Sequence, residues 1–314
     1  FADRGPRLDR VRDQPVVDDV DGRDMGGGVG QVLHNAGHDV VTCLAGRSAE
    51  SKVRAERGGF RNLPDLDAVV GEAALILSIL PPSSAIGLAG EVVAAMTRTD
   101  SFPVFMDCNA ISPASSGKIA EIMASANNGS GAPYIDCGII GWAPGKGPQP
   151  TRFYVSGPNL APAEALAVEG IKLQVVGVEV GRASALKILY SGLNKGRFSL
   201  FSAIATAAQS LDLLDELGAE LAFSQGDTWK YLQTGISRLP ADSERWWPEM
   251  DEIAETMEGA GVTGDFHRGA AWMLKLMAAT PLAAETRETI DTDRTLAETV
   301  RIFAEQLKAE TDQQ

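Results

Sequence analysis

Residues 25–44 of this chain, MGGGVGQVLHNAGHDVVTCL, decide its fold. Apolar residues recur at helical spacing from Val29 to Ala36, and Gly37 supplies a helix stop. A β-branched, apolar strand is predicted directly afterwards, over residues 39–44. A glycine cluster that opens a helix and leads into a strand is part of a βαβ unit. The backbone of such a glycine turn can approach a phosphate closely at the helix N-terminus.

Short apolar runs follow at intervals along the first half of the chain. We predict further strands over residues 75–80, 104–106 and 134–136, with helices between them. Alternating buried strands and helices specify a parallel sheet that is covered on both faces, because each crossover returns with the same hand. The predicted fold class is therefore α/β, with a Rossmann-type doubly wound parallel sheet in the N-terminal part.

The strand signals stop near residue 181. Helical patterns rich in Ala, Leu and Glu continue from there to the C-terminus, and residues 183–208 predict one long helix. Residues 246–248, Trp-Trp-Pro, predict an interruption of the helical pattern. We therefore divide the chain into a Rossmann-like domain over residues 1–180, whose first 24 residues are atypical, and an all-helical domain over residues 181–314.

Composition limits the classes of partner. The chain has 42 acidic and 28 basic residues and a formal net charge of -14, which repels nucleic acid and anionic membrane surfaces. No apolar run reaches the ~20 residues of a membrane span, and the first residues are charged, so we expect a cytoplasmic protein. Cys43, Cys108 and Cys137 lie in apolar contexts without metal-ligand spacing, and we predict that they are buried free thiols with no metal.

The most specific motif lies at the start of the helical half. Residues 177–196, GVEVGRASALKILYSGLNKG, resemble the catalytic-lysine helix of the β-hydroxyacid dehydrogenase family, to which 3-hydroxyisobutyrate and 6-phosphogluconate dehydrogenases belong. The resemblance places Lys187 on the catalytic lysine, the group that exchanges a proton with the substrate hydroxyl. Ser191 stands where the family has a substrate-binding asparagine. Asn194 and Lys195 follow on the same helix as further candidates for substrate contact.

Two loops extend the resemblance. Residues 107–113, DCNAISP, are similar to the family's substrate-binding segment, and Asn109 is the candidate there for contact with substrate and cofactor. An Asx turn or a helix cap is the alternative role of Asn109. Residues 134–142, YIDCGIIGW, resemble a segment that ends in a Ser-Gly-Gly turn, of which Gly141 is retained. The flanking isoleucine and tryptophan imply a more apolar or aromatic substrate pocket.

The phosphate-binding turn departs from the family pattern. Met25 and Gly26 match the end of the family's Gly-x-Gly-x-x-Gly turn, but the two earlier glycine positions fall on Asp21 and Arg23. Asp18 and Asp19 would then occupy buried strand positions, and residues 1–24 do not resemble a strand. Two explanations fit, an altered reading frame, which we favour, and a divergent, weakened site.

Other cofactor contacts follow from the same resemblance. Arg47 and Ser48 stand at the ribose end of the second strand, where an acidic residue selects NAD and an arginine accommodates the additional phosphate of NADP. NADP is therefore the expected cofactor, NAD remains an alternative, and Arg47 could instead be an ordinary solvated loop charge. Leu80 and Pro81 follow the strand whose end lines the nicotinamide ribose in the family.

The resemblance implies an NAD(P)-dependent oxidoreductase that transfers hydride between NADP(H) and a hydroxyacid, its ketoacid or a related alcohol. It also implies a homodimer with a small-molecule substrate, whose helical domain serves substrate binding and dimerisation. Two alternatives remain open. One is imine reduction, and the other is a non-catalytic dinucleotide-binding relative, which the charges at Asp21 and Arg23 suggest.

Overall fold

The computed structural model describes residues 14–17, 25–286 and 289–311. Its sheet has eight strands within these ranges: β1 Gln14–Val17, β2 Val40–Cys43, β3 Arg61–Leu63, β4 Leu75–Ser78, β5 Val104–Asp107, β6 Tyr134–Ile140, β7 Thr151–Ser156 and β8 Ile171–Gly177. They are arranged in the order β3-β2-β1-β4-β5-β6-β7-β8.

Helices alternate with the first six strands, as the sequence predicts. They are α1 Met25–Asn35, α2 Ala49–Gly58, α3 Leu66–Glu72, α4 Ala85–Thr99 and α5 Pro113–Ala124. The strands from β3 to β6 are all parallel, which confirms the doubly wound α/β class. However, β7 runs antiparallel to β6. The connection between them has only ten residues, and a parallel crossover needs about a dozen or more.

Residues 1–24 do not resemble a strand in the sequence, yet the structure has strand β1 within them. Strand β1 pairs with β2 on one side and β4 on the other, which makes it a central strand. Pro15 lies within it opposite Val41, and a proline normally argues against a central strand because it cannot donate a ladder hydrogen bond. The expectations about Asp18, Asp19, Asp21 and Arg23 fall outside the described residues.

Both faces of the sheet are packed. One core lies between the sheet and α1 and includes Val29 and Leu33, while the other includes Val92 and Met96 of α4. All four residues of β4 are buried, as expected for a strand that is covered on both sides. The polar residues within this sheet therefore lie in an apolar environment.

A second compact unit begins at Leu189, inside the long helix α6 Arg182–Ser210. This helix confirms the one predicted over residues 183–208. The helices that follow are α7 Leu214–Ser224, α8 Gly226–Ile236, α9 Pro240–Gly259, α10 Asp265–Ala278 and α11 Leu296–Thr311. None of the helices in the described part of the chain is long and apolar enough to cross a membrane.

The predicted interruption at residues 246–248 is wrong, because α9 continues through Pro248. An internal proline removes one helical hydrogen bond and crowds the preceding turn. Packing on α10 stabilises the helix at this point: the ammonium of Lys275 lies 4.3 Å from the ring centroid of Trp247, directly before the proline.

Candidate active site

A row of buried polar side chains crosses the sheet at one level. Ser78, Asp107, Asp136 and Ser156 are successive register partners on β4, β5, β6 and β7. All four are at most 1% exposed. Register partners on neighbouring strands point to the same face, so these side chains form a continuous line. The line lies at the carboxyl ends of β4 and β5, the edge at which open α/β sheets bind their ligands.

Asp107 organises the loop that follows β5. Its Oδ1 accepts a hydrogen bond from the backbone N–H of Asn109 at 3.0 Å, and its Oδ2 accepts one from the Asn109 side-chain amide at 2.7 Å. The hydroxyl of Ser78 also donates to Oδ2, at 3.2 Å. Burial raises the pKa of Asp107 to about 7, and the neighbouring Asp136 adds to the rise while the bonds from Asn109 oppose it.

The side chain of Asn109 links two loops at this edge. Its amide nitrogen donates to Ser78 and to Asp107, and its Oδ1 accepts from the backbone N–H of Leu80 at 2.6 Å. Asn109 is 3% exposed. Both amide hydrogens are therefore used inside the protein, so the geometry supports a role in holding the loop rather than donation to a substrate. The cap of α5 is Ser112 and not Asn109, because the hydroxyl of Ser112 accepts from the N–H of Ser115.

Asp136 receives the N-terminus of α6. Its Oδ2 accepts hydrogen bonds from the backbone N–H groups of Gly181, Ala183 and Ser184 at 2.9, 3.0 and 3.1 Å. The first N–H groups of a helix have no partner within the helix and carry the positive end of its dipole. The carboxylate of Asp136 thus acts as the cap of α6 although it belongs to β6.

Gly138 allows α6 to approach β6 closely. A Cβ atom built on Gly138 would lie 2.7 Å from the carbonyl oxygen of Ala183 and 2.7 Å from Cβ of Lys187, too close for any other residue. Gly138 lies two residues beyond Asp136, as Asn109 lies two residues beyond Asp107. Because the two aspartates are register partners, the structure places the backbone of Lys187 at the same edge as the Asn109 loop, one strand away.

Lys187 itself is half-buried. Its apolar neighbours on the helix lie partly in the core and partly at the surface. Ile188 is fully buried, whereas Leu186 is 37% exposed and Leu189 is 50% exposed. Apolar residues flank Lys187 on both sides in the sequence, but only one side of the helix buries them.

The other helix candidates belong to the second unit. Ser191 is buried there, and the side chain of Asn194 donates to the carbonyl of Tyr190 and accepts from Arg197. The ammonium of Lys195 forms an ion pair with Glu249 and lies 4.9 Å from the ring centroid of Trp246. Burial lowers the pKa of Lys195, and the Glu249 carboxylate opposes that shift. These contacts give Asn194 and Lys195 structural partners within their own unit.

Gly141 ends β6 with a φ of 121°, a backbone conformation that L side chains rarely adopt, which explains why glycine stands here. The two residues that flank it have different surroundings. Ile140 is buried in the core, whereas Trp142 is 63% exposed, with its carbonyl accepting a hydrogen bond from the Thr151 hydroxyl at 2.6 Å. Of the two, only Trp142 presents an exposed apolar side chain.

The predicted dinucleotide elements are arranged around α1 and the end of β2. Helix α1 begins at Met25, Gly26 in its first turn is buried, and that turn contains no acidic residue. A Cβ on Gly28 would lie 3.2 Å from Cβ of Ala143, so Gly28 serves close packing of the helix. Such a helix N-terminus fits a diphosphate, because its N–H groups and dipole attract anions.

At the end of β2, Arg47 is half-buried, and the hydroxyl of Ser48 accepts the N–H of Ser51 at 3.2 Å as the cap of α2. On the other side of β1, Leu80 is buried and Pro81 precedes a short 3-10 turn. Leu80 donates its N–H to Asn109, so this backbone is already fixed in place.

No sequence motif singled out Asp107, Asp136 or Gly138, whose contacts organise the candidate site. A usable signal was present, because each aspartate ends or interrupts a short apolar strand, where an unpaired carboxylate is costly. The thiol predictions fare better. Cys108 and Cys137 are free and buried, as predicted, and burial raises the pKa of the Cys137 thiol well above its usual value. Cys43 is free but partly exposed, so the prediction that it is buried is wrong.

Comparisons with known proteins agree with this architecture. Residues 208–277 match a model of a domain of unknown function, DUF1932. An uncharacterised 28.5 kDa protein of Methanothermus fervidus, encoded in the 7S RNA 5′ region, is 28% identical over 221 residues, which cover 68% of this chain and 80% of the relative. A conserved hypothetical protein from Sinorhizobium meliloti superposes with a TM-score of 0.67 at 19% identity, covering 95% of this chain and 97% of its own.

The fold defines a class: a doubly wound α/β unit followed by a helical unit, as in hydroxyacid dehydrogenases. The 3-hydroxyisobutyrate dehydrogenase of Mycobacterium tuberculosis, solved with L-serine, superposes with a TM-score of 0.63 at 17% identity, covering 92% of this chain and 98% of its own. A UDP-glucose dehydrogenase and imine reductases are also similar in structure. The predicted resemblance to the β-hydroxyacid dehydrogenases is thus confirmed, and at these identities it concerns the fold.

Proposed function

We propose that this protein is an NAD(P)-dependent oxidoreductase that acts on a hydroxyacid, its ketoacid or a related alcohol. One observation carries the proposal: the helix that bears Lys187 is capped by Asp136 and packed on Gly138 at the carboxyl edge of the sheet. That edge also holds the Asn109 loop. A lysine held at the ligand-binding edge of a dinucleotide-type fold fits proton transfer to and from a substrate oxygen.

In this proposal Lys187 takes the hydroxyl proton when the alcohol carbon is oxidised and returns it when the carbonyl is reduced. A bound nicotinamide would supply the redox chemistry by accepting or donating hydride. Gly141 and the helix residues Ser191, Asn194 and Lys195 remain proposed substrate contacts by resemblance. For Asn109 the contacts favour an indirect role, since its amide orients the backbone at Leu80, beside the proposed nicotinamide position.

We propose NADP as the preferred cofactor, with its diphosphate at the start of α1, near Met25 and Gly26, and its ribose phosphate near Arg47 and Ser48. Arg47→Asp should weaken NADPH binding by about tenfold or more, because a charge-assisted phosphate contact is worth roughly 1.5–3 kcal/mol. NADH binding should change little. Fluorescence titration of both cofactors checks this, with Arg57→Asp on the exposed part of α2 as the matched charge control. Equal affinity of the wild type for the two cofactors would contradict the preference.

The decisive variant is Lys187→Ala. Removal of a general acid or base typically lowers the rate by ~10²–10⁴-fold, so turnover should fall on that scale while NADPH affinity stays nearly unchanged. Lys187→Arg should fail too, because arginine cannot release its proton near neutral pH. Lys118→Ala, on the exposed side of α5, is the lysine control. The assay follows NADPH absorbance with a panel of hydroxyacids, ketoacids and imines.

The same panel separates the alternatives. Turnover of imines but not of ketoacids would replace the proposal with imine reduction, which proteins of similar structure perform. Dinucleotide binding without turnover of any compound would favour a non-catalytic relative. A Lys187→Ala variant that keeps most of its turnover would exclude this lysine as the proton-transfer residue.

A further inference from the structure

The buried carboxylate of Asp136 also accepts hydrogen bonds from serine hydroxyls on other elements, in addition to capping α6. Besides three backbone N–H groups, Asp136 accepts hydrogen bonds from the hydroxyls of Ser156 at 2.8 Å, Ser184 at 2.5 Å and Ser116 at 3.1 Å. These donors come from β7, α6 and α5, so a single carboxylate joins three elements to β6. Burying a charge costs several kcal/mol unless it is extensively hydrogen-bonded, and the six bonds meet that condition.

We infer that Asp136, Ser156 and Ser184 form a positioning clamp that fixes the first turn of α6 on β6 and thereby sets where Lys187 stands. This inference rests on the proposed catalytic role of Lys187. None of the three residues is proposed to touch substrate or cofactor. Their effect on the reaction passes through the helix backbone.

The geometry gives the clamp two points of attachment along one helix face. Ala183, whose N–H binds both Asp136 Oδ2 and the Ser156 hydroxyl, is the first point. The contact of Gly138 with the Ala183 carbonyl and the Lys187 Cβ is the second. Positions 183 and 187 are four residues apart, so they lie on the same side of the helix. A helix held at both points can neither slide along β6 nor turn about its own axis without breaking one of them.

Three variants separate the charge of the clamp from its geometry. Ser184→Ala deletes one hydroxyl donor and keeps a good helix former. Asp136→Asn keeps an oxygen for the helix N–H groups and turns an amide toward the Ser116 and Ser184 hydroxyls, which can accept, so that mainly the charge is lost. Ser202→Ala is the control, because Ser202 is a fully buried serine of the same helix whose hydroxyl donates to the carbonyl of Phe198, one turn earlier.

Two readouts do not depend on turnover. Hydrogen exchange of the peptide over residues 178–190 reports the first turn of α6, and the rate at which an amine-reactive reagent labels Lys187 reports the position of its ammonium. We expect Ser184→Ala and Asp136→Asn to speed exchange in this peptide and to change the labelling rate several-fold, whereas Ser202→Ala alters neither. Unchanged exchange and labelling in both clamp variants would overturn the inference, whether or not a substrate is found.

Turnover supplies the third readout. A displacement of about 1 Å can cost ~10²-fold in rate, so kcat should fall by about ten- to a hundredfold in the clamp variants while the KM for NADPH stays within about twofold. A clamp variant with faster exchange but wild-type kcat would show that Lys187 needs no such positioning. A wild type that turns over nothing would refute the proposed function instead, and the exchange and labelling results would still decide whether the clamp exists.

Discussion

Asp107 and Asp136 lie side by side on neighbouring strands, yet their surroundings differ. Asp136 faces the N-terminus of α6 and accepts six hydrogen bonds, so the helix dipole and its N–H groups stabilise its charge. Asp107 accepts three hydrogen bonds, from Ser78 and Asn109, and in the described chain none of these donors belongs to a helix N-terminus. Burial therefore dominates at Asp107 and raises its pKa to about 7.

A pH dependence of stability follows from Asp107. Its pKa is above that of the unfolded chain, so between about pH 4 and pH 7 the folded state binds the proton that the unfolded state has lost. The contribution of this group to the free energy of unfolding should fall as pH rises through that window and level off above about 7. Chemical denaturation of the wild type and Asp107→Asn at several pH values checks this.

Asp107→Asn is expected to lower the free energy of unfolding by a constant amount at every pH, because the NH2 group that replaces one carboxylate oxygen cannot accept the bond from the Asn109 side-chain amide. The pH slope is the informative quantity: the variant should lose less stability than the wild type between pH 4 and pH 7. Asp65→Asn, at an exposed helix cap, is the control for a carboxylate outside the sheet. Parallel slopes for the wild type and Asp107→Asn would contradict the raised pKa.

At the level of single residues, the sequence predicted a feature when all of its residues lie in one segment of the chain. The motif around Lys187 predicted a lysine on a long helix at the start of the helical half, and the structure has that helix. The partners of Asn109 could not be predicted, because Ser78 and Asp107 meet it only once β4 and β5 are in register. Hydrogen bonds between side chains of neighbouring strands depend on this register, and no spacing within one segment encodes it.

Among the elements, α6 and β6 are in the closest backbone contact at the candidate site. Gly138→Ala should destabilise the protein by about 1–3 kcal/mol, the usual cost of overpacking, because the added methyl would lie 2.7 Å from the Ala183 carbonyl. It should also lower kcat, since the helix must move to make room. Gly87→Ala in α4 is the matched control, since a Cβ there meets nothing within 4 Å.

Replacing Gly87 in the first turn of α4 should stabilise the protein by up to about 1 kcal/mol, so the two glycine variants are expected to change the thermal midpoint in opposite directions. Thermal unfolding followed by circular dichroism measures both. If Gly138→Ala unfolds at the wild-type temperature and keeps wild-type turnover, neither stability nor activity depends on the close approach of α6 to β6.

Strand prediction succeeded where the sequence is a short apolar run and failed where that signal is absent. The runs at β2, β4 and β5 are short and apolar, and each was predicted. Strand β1 contains Pro15, and β8 is mostly half-exposed with polar residues, so neither has the apolar signature of a central strand. The Trp-Trp-Pro segment predicted an interruption that the structure does not have, because a helix that is packed on its neighbours tolerates the cost of one proline.

For the whole molecule, the surface of α6 bears on assembly. Leu189, Leu193, Leu200 and Ile204 of the second unit are 50%, 71%, 61% and 45% exposed. At about 100° per residue these four side chains fall within an arc of about 60°, so they form one apolar stripe along the helix. A single chain thus presents contiguous apolar surface on a regular element, which is characteristic of an interaction site. The stripe supports the expected homodimer.

We expect the wild type to scatter light as a species of twice the chain mass of 33.2 kDa at micromolar concentration. The double variant Leu193→Asp and Leu200→Asp should shift it to the monomer mass, because a carboxylate buried in an apolar interface without a partner costs several kcal/mol. The same aspartates face water in a monomer, so thermal stability of the dissociated chain should change little. Val178→Asp is the control, since Val178 is also 71% exposed but belongs to the first unit. A wild type that scatters as a monomer, or a double variant that remains dimeric, would remove this stripe as the dimer interface.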